Sequence, residues 1–488
     1  MKIWILNPPF LPKFSRPQRS PAVTKSGTLY FPIWLAYAAE VLEQAGHEVT
    51  LTDAPARGWT DADILKIGGK MQPALIVMDT STPSIQNDIR VAGLLKGALP
   101  DATVVLVGTH VSALPEETLA LSDAVDAVAR REYEYTLREL ADVLERNPGT
   151  GRKPFSGIAG LSYREGGAVV HNPDRPFIQN LDELPWVSRA YAKHLRISDY
   201  FNPNALYPMV TLVTSRGCPF LCRFCLYPQV MTGRRYRLRS IEDVIEEMRF
   251  VQKTFPEAGS IFFEDDTLTV NKERLIAFSE ALIRSGVRIP FVANSRIDPD
   301  LETLKIMKAA GCRQLCVGFE SGNQGILDET RKGVRIEKME RFMENARKAG
   351  ILIHGCFMVG FPGETPETVK QTVELALRLR PDTVQFYPVM VYPGTDAYRD
   401  YLKRGWITAT DFRQWLTASG LHNCVIRNDS FEPAELVKIC DEARRRFYLR
   451  PRYVLYKIRQ AVLHPSLALR TAKAAKTFLR HLVFGSGV

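Results

Sequence analysis

Between Leu212 and Arg237 three cysteines, Cys218, Cys222 and Cys225, stand in a C-x₃-C-x₂-C array that takes three of the chain's eight cysteines into eight positions. An apolar run with Val210, Leu212 and Val213 precedes them and reads as a strand delivering a loop. Thiolates at so short a spacing can converge on one metal centre, and iron–sulfur clusters are held by cysteine thiolates. Three ligands on a cube of four irons leave one iron open to something that reacts. A zinc knuckle is the competing use of such a loop. Structural zinc takes four protein ligands, and no further Cys or His stands inside or directly beside the array.

Around the array the chain alternates between strand and helix patterns. Strands are expected over 209–214, 260–265, 290–295, 314–320, 352–360 and 383–390, with helices over 240–254, 271–285, 299–310, 335–349 and 365–379. Six such units over 206–400 suit a partial or full barrel, whose active site lies at the carboxyl ends of its strands. Every polar cluster of interest falls at such an end: Glu264-Asp265-Asp266, Asn294-Ser295-Arg296, Glu320-Ser321-Gly322, Gly360 to Glu364, and Pro393-Gly394-Thr395. Singly, each Asp or Ser has the plainer use of capping a helix.

Residues 1–140 alternate too, with strands at KIWILN, HEVTLTDA, ALIVMD, TVVLVG and AVDAVA, and predict an α/β layer on a parallel sheet. A dinucleotide-binding domain would carry G-x-G-x-x-G after its first strand; here that loop is Asn7-Pro8-Pro9-Phe10. Residues 141–205, with NPGTGRKPFSG and the strand-like GLSYREGGAVVHN, read as a connector lying over the following domain.

The cysteine array, with the aromatic Phe224 before its third cysteine, resembles the signature of the radical S-adenosylmethionine enzymes. The resemblance implies a 4Fe–4S cluster on Cys218, Cys222 and Cys225, with S-adenosylmethionine on the open iron. It also implies cofactor contacts at Phe224, Asp265, Asp266, Arg296, Glu320, Ser321 and Gly360, without saying which acid receives the methionine ammonium. The first-domain loops resemble those of a cobalamin-binding domain at Asn7-Pro8-Pro9, Thr80-Ser81-Thr82, Gly108-Thr109-His110-Val111 and Arg131-Glu132-Tyr133-Glu134. The D-x-H-x-x-G motif that gives cobalt a histidine elsewhere is absent, so cobalamin is expected without a histidine ligand.

The implied architecture is α/β: a Rossmann-like cobalamin-binding domain (1–145), a linker (146–205), a partial (β/α)₆ TIM-type core (206–400) and a C-terminal helical region (401–488). The implied activity is radical functionalisation of an unactivated carbon, by methyl transfer from methylcobalamin. Ring contraction or carbon–carbon bond formation is the alternative, and a cobalamin or iron–sulfur sensor the non-enzymatic one. An electron donor such as flavodoxin or ferredoxin is implied as partner.

Composition adds location. Eight cysteines, three of them in a thiolate array, suit a reducing compartment. The apolar run at the amino terminus stops at Pro8-Pro9, too short for a signal peptide, so the protein is expected in the cytoplasm. The net charge of +10 is concentrated at the end: Arg444 to Val488 holds eleven Lys and Arg and no acid. In that stretch Arg470, Lys473, Lys476 and Arg480 recur at helical spacing opposite Leu467, Thr471, Ala474, Phe478 and Leu482. This predicts either a basic amphipathic helix at the inner membrane face or a helix packed on the barrel. Specific nucleic-acid binding is not expected, for want of a groove-reading motif. A lipid leads the substrate classes, ahead of other small molecules. Cys312, Cys316, Cys356, Cys424 and Cys440 read as small buried hydrophobes, with an auxiliary cluster as the alternative.

Overall fold

The computed structural model describes residues 1–147 and 155–463. Strands β1 (Lys2–Asn7), β2 (Glu48–Asp53), β3 (Leu75–Thr80), β4 (Thr103–Gly108) and β5 (Ala127–Ala129) pair in parallel in the order β2-β1-β3-β4-β5. Every residue of β3 and β4 is buried, as uninterrupted apolar runs must be when helices cover both faces of a parallel sheet. The order reverses at β1, so the loops after β1 and β3 part there and leave the crevice in which ligands of such sheets bind.

One segment departs from expectation. The hairpin β6 (Leu161–Glu165) and β7 (Ala168–His171) belongs to the first sheet and does not lie over the second half: β6 pairs antiparallel with β5, making seven strands. β5 is three residues long and ends the parallel run, and the hairpin covers an edge that would otherwise template pairing with another chain.

The second sheet contains β8 (Met209–Leu212), β11 (Ser260–Phe263), β12 (Phe291–Ser295), β13 (Cys312–Glu320), β14 (Leu352–Val359) and β15 (Thr383–Pro388). All are parallel and follow chain order across the sheet, the expected six-stranded partial barrel. A two-stranded ribbon, β9 (Ser215–Arg216) with β10 (Arg237–Leu238), brackets the cysteine array. The β15 edge is capped by the helix Pro433–Tyr448: Tyr448 Oη accepts from Val384 N at 2.8 Å and lies 2.7 Å from Val384 O, and Arg444 donates to Phe386 O at 2.6 Å.

Side-chain alternation along the strands turns Cys316 and Gly318 of β13, Cys356 and Met358 of β14, and Gln385 and Tyr387 of β15 inward. They stay partly open although Cys316, Cys356 and Tyr387 lie deep in the molecule, so they line an internal chamber. The long loop 8–32 reaches its mouth: Tyr30 meets Phe262 edge-on at 6.2 Å. The expected helix around Leu467 to Leu482 lies outside the described residues. Among the described residues no helix is long and apolar enough to cross a membrane.

Candidate active site

The cysteine loop is set by its glycine. Gly217, at φ +84°, would place a Cβ 2.2 Å from Arg235 O, so the chain can turn into Cys218 only without a side chain. Cys218 N then bonds Gly233 O at 3.2 Å, and Gln229 Nε2 donates to Cys225 O at 2.8 Å and Arg223 O at 3.1 Å. Cys218 and Cys222 are buried and Cys225 half-buried. The three sulfurs are electrostatic neighbours, and burial pushes the thiols of Cys218 and Cys225 up. Buried thiols become ligands only as thiolates with a cation to stabilise them, and a three-thiol set beside an open face suits a cluster with one free iron. Among the described residues no three His, Cys, Asp or Glu side chains stand together as ligands of a single ion.

The three consecutive acids after β11 diverge. Asp265 is enclosed: it accepts from Thr214 N at 3.1 Å, Thr214 Oγ1 at 2.8 Å and the Ser215 hydroxyl, all in the stretch leading to the cysteines. Glu264 and Asp266 face the chamber. Asp266 accepts from Thr232 Oγ1 at 2.9 Å and interacts electrostatically with Cys218 and Cys225. Glu264 is paired with Arg19 of loop 8–32 at 2.5 Å.

Across the mouth, Glu320 pairs with buried Lys332 at 2.7 Å, and Lys332 is an electrostatic neighbour of Cys222 and Arg296. Glu320 sits at φ +66° and folds over Gly318, where a Cβ would lie 2.1 Å from its Oε1. Arg296 lies over the Phe220 ring at 3.6 Å and donates to Gly333 O at 3.1 Å. Ser321 Oγ contacts Thr372 Oγ1 at 3.2 Å. At Gly360, φ +104°, the room a Cβ would take is filled by Ile426 at 2.9 Å and Leu436 at 3.2 Å. The glycine there admits the C-terminal segment. Beside it a pocket is lined by Phe224, Phe361, Pro362, Val389 and Tyr401, with Phe224 and Phe361 rings 5.5 Å apart.

At the first sheet the expected cobalamin residues separate into two sets. Asn7, Pro8 and Pro9 hold the loop: Asn7 Nδ2 donates to Asp53 Oδ1 at 2.9 Å, Arg16 donates to Asn7 Oδ1 and Pro8 O at 2.8 Å each, and Asn87 Nδ2 to Pro9 O at 2.7 Å. Glu132 is wholly buried and gripped by both terminal nitrogens of Arg237 at 2.7 Å, so its carboxylate is engaged inside the protein. The second set lies along the strand ends. Thr80 Oγ1 donates to Val107 O, Ser81 and Ser84 share a hydroxyl contact at 2.8 Å, and Thr82 Oγ1 lies 3.3 Å from His110 Nδ1. Gly108 lies so close that a Cβ would stand 2.4 Å from Thr80 O, and Thr109 and Val111 are buried behind it. His110 meets the Phe412 ring at 5.0 Å, and burial holds its imidazole down at about 3, so it stays neutral. The buried Tyr133 hydroxyl at these strand ends has no hydrogen-bond partner among the described residues, beside Asp79, whose carboxyl burial pushes up to about 7. An orphaned donor at a crevice of small polar residues suits an amide-rimmed ligand such as a corrin.

Two site residues carried no signal in the sequence. Lys332 lies twelve residues beyond Glu320 in an ordinary helix-ending stretch, and Arg19 belongs to the other half of the chain.

The comparisons agree with this geometry. Residues 19–141 match the B12 binding domain and residues 212–376 the radical SAM superfamily. An uncharacterized methyltransferase of Pyrococcus horikoshii is 34% identical over 433 residues, 88% of this chain and 91% of that protein. Hopanoid C-3 methylase of Methylococcus capsulatus is 27% identical over 78% of this chain and 70% of its own. The radical S-adenosylmethionine methyltransferase TsrM of Kitasatospora setae, solved with cobalamin and a 4Fe–4S cluster, has the same fold at TM-score 0.65 and 20% identity, over 83% of this chain and 75% of that one. A B12-binding domain followed by a radical SAM domain with its three-cysteine loop, matched along most of its length by such a relative, means that the chain belongs to the cobalamin-dependent radical S-adenosylmethionine methyltransferase family.

Proposed function

We propose that the enzyme methylates an unactivated carbon of an apolar substrate held in the barrel chamber, between cobalamin on the first sheet and S-adenosylmethionine on the second. The observation that carries this is the contact of loop 8–32 with the acids after β11 through Arg19 and Glu264, which sets residues of the first half of the chain and the strand-end acids of the second around one cavity. When bound, the cluster and S-adenosylmethionine supply radical chemistry and cobalamin supplies methyl.

The chain's own residues bind and orient. Cys218, Cys222 and Cys225 hold the iron. Asp266, open to the cavity beside the thiols, takes the methionine ammonium, while Asp265 fixes the strand end that delivers them. Arg296 and Lys332 are the cations for the carboxylate, and Glu320 and Ser321 face the ribose. Phe224 and Phe361 offer the adenine an aromatic slot. With Asn7 and Glu132 engaged internally, the corrin rests on the small residues and backbone of 80–82 and 108–111, and cobalt takes no histidine. The division of labour is 1–145 for cobalamin, 146–205 as connector, 206–400 for the radical core and 401–488 as the C-terminal helical region, whose helix Pro433–Tyr448 covers the β15 edge.

The inward side chains of β13, β14 and β15 are thiol, thioether, amide and phenol, which suits a neutral, apolar molecule on that side of the chamber, away from Glu264 and Asp266. A lipid is the substrate class we favour; one relative is named for a hopanoid. The helix Pro451–Leu463 supports this: Leu455, Ile458 and Val462 are 65%, 55% and 73% exposed, beside Arg452 and Arg459. On this reading the enzyme works in the cytoplasm at the inner membrane face, reduced by flavodoxin or ferredoxin.

The test is the mass of the product formed in cell extract from a methyl donor deuterated in its methyl group. A product carrying the labelled methyl is expected. A rearranged product of unchanged carbon count would overturn methyl transfer in favour of ring contraction or carbon–carbon coupling.

A further inference from the structure

Loop 8–32 is pinned from several sides. Arg16 forms a wholly buried ion pair with Asp88 at 2.6 Å. Tyr227 of the cysteine loop donates its hydroxyl to Pro17 O. Ser20 Oγ meets both Tyr392 Oη and His422 Nε2 at 2.9 Å. Between these anchors Arg19 extends into the cavity, its side chain 30% exposed. Its guanidinium donates to Glu264 Oε1 at 2.5 Å and Asp265 O at 2.9 Å, stands 3.6 Å from Asp266 Oδ1, and lies over the Tyr227 ring at 5.7 Å.

The charges there can be followed group by group. Of the three acids after β11, Asp265 is enclosed by Thr214 and Ser215. Glu264 and Asp266 remain facing the cavity, and one guanidinium stands against them. In a water-poor site such charges interact strongly, so Glu264, Asp266 and Arg19 together present one uncompensated negative charge to the cavity, while the charge of Asp265 is turned away onto neutral donors.

We propose that Arg19, a residue of the cobalamin-side loop, is a positioning residue for S-adenosylmethionine: by engaging Glu264 it leaves Asp266 as the single carboxylate for the single methionine ammonium. This rests on the assignment of Asp266 to that ammonium. It makes the loop that borders the cobalamin crevice a structural part of the other cofactor's site. It also gives Glu264 a definite task, holding Arg19 away from Asp266. Without Glu264, the nearest carboxylate for Arg19 is Asp266, where the guanidinium would compete with the ammonium.

The test is equilibrium dialysis of S-adenosylmethionine against the reconstituted full-length holoenzyme without reductant, so that binding is read without turnover. Glu264→Gln is expected to weaken binding by about tenfold or more, as loss of one member of a buried charge set does. Arg19→Met combined with Glu264→Gln restores the net charge and is expected to return affinity to within about threefold of the parent, a non-additivity that marks direct coupling. A double variant as weak as Glu264→Gln, or a Glu264→Gln variant that binds normally, overturns the inference. Asp266→Asn separates the layers. If it binds normally, the ammonium assignment itself fails. If it loses binding while the rescue does not occur, only the role of Arg19 fails. Should Arg19→Met not fold, Arg19→Gln takes its place in the same cycle.

Discussion

Removing the carboxylate of Glu132 should uncouple the two halves of the enzyme. Glu132 belongs to the loop after β5 in the first sheet, and its partner Arg237 lies in β10 beside the cysteine loop. Arg237 also donates to Ile178 O and Thr232 O at 2.6 Å each, Glu132 also accepts from Ile178 N at 3.0 Å, and Arg216 stands 3.5 Å from Glu132. Arg216 is itself wholly buried between the Trp34 and Tyr37 rings and 2.7 Å from Glu134. In Glu132→Ala, Arg237 keeps its two carbonyls but loses its only carboxylate partner among the described residues. Breaking a buried pair from one side costs about 3–5 kcal/mol. For a melting unit of 150–250 residues that corresponds to a midpoint lowered by roughly 6–20 °C. Glu132→Gln keeps an acceptor and should lose about 1–3 kcal/mol. Glu132→Ala with Arg237→Met should cost less than the sum of the single changes, because no charge is stranded. The assay is thermal and urea unfolding of the holoenzyme by tryptophan fluorescence, with cobalamin content measured in parallel. A Glu132→Ala protein within about 1 kcal/mol of the parent would refute the argument. If it had also lost its cobalamin, Glu132 would be a corrin contact after all.

Three further outcomes are expected. Gly108→Ala forces a side chain into φ +109° against Thr80 O and should cost at least about 1–2 kcal/mol, visible as a lowered midpoint together with lost cobalamin; a protein that melts normally and retains cobalamin would contradict the tight crossing of β3 and β4. Replacing Cys218, Cys222 and Cys225 together by Ala should remove the iron, the cluster absorbance and 5′-deoxyadenosine formation, and survival of any of these in full would sink the cluster assignment. Leu455→Glu, Ile458→Glu and Val462→Glu together should lower co-sedimentation with anionic liposomes, each apolar side chain contributing about 1.5–3 kcal/mol when buried, and unchanged sedimentation would remove the membrane surface and weaken the lipid assignment.

Much of the fold was legible because its strands are bounded by glycines, prolines and caps and its helices by clear periodicity. The six barrel strands fall within two residues of their expected limits. The hairpin 161–171 was legible as strands but not as members of the first sheet, since which edge a strand joins is settled by the edge left bare, here β5. The cysteines announce themselves by spacing. Asn7 and Glu132 were legible as special but not as internal: a polar residue at a strand end looks the same in sequence whether it meets a ligand or an arginine more than a hundred positions away. Lys332 and Arg19 were not legible, because each acquires meaning only from an acid that the fold brings to it.

The run Glu264-Asp265-Asp266 shows why spacing alone could not choose among its acids. β11 stops at Phe263, yet the alternation of the strand persists through the next residues and points the middle acid away from its neighbours. Asp265 turns back to Thr214 and Ser215, holding the strand end from which the cysteines depart. Glu264 and Asp266 share the other side, where identical chemistry would make them interchangeable if nothing distinguished them. What distinguishes them is Arg19, nearer to Glu264 by about an ångström than to Asp266 and held there by the anchors of its loop on Asp88, Tyr227, Tyr392 and His422. Burial pushes the carboxyl of Glu264 up, and Arg19 opposes that rise. Losing the guanidinium would therefore favour a protonated Glu264 and turn an ion-paired wall of the chamber into a hydrogen-bond donor. On the proposal that Asp266 takes the methionine ammonium, Arg19 decides how the two cavity-facing acids divide charge balance and ligand binding, while Thr214 and Ser215 keep Asp265 for structural support.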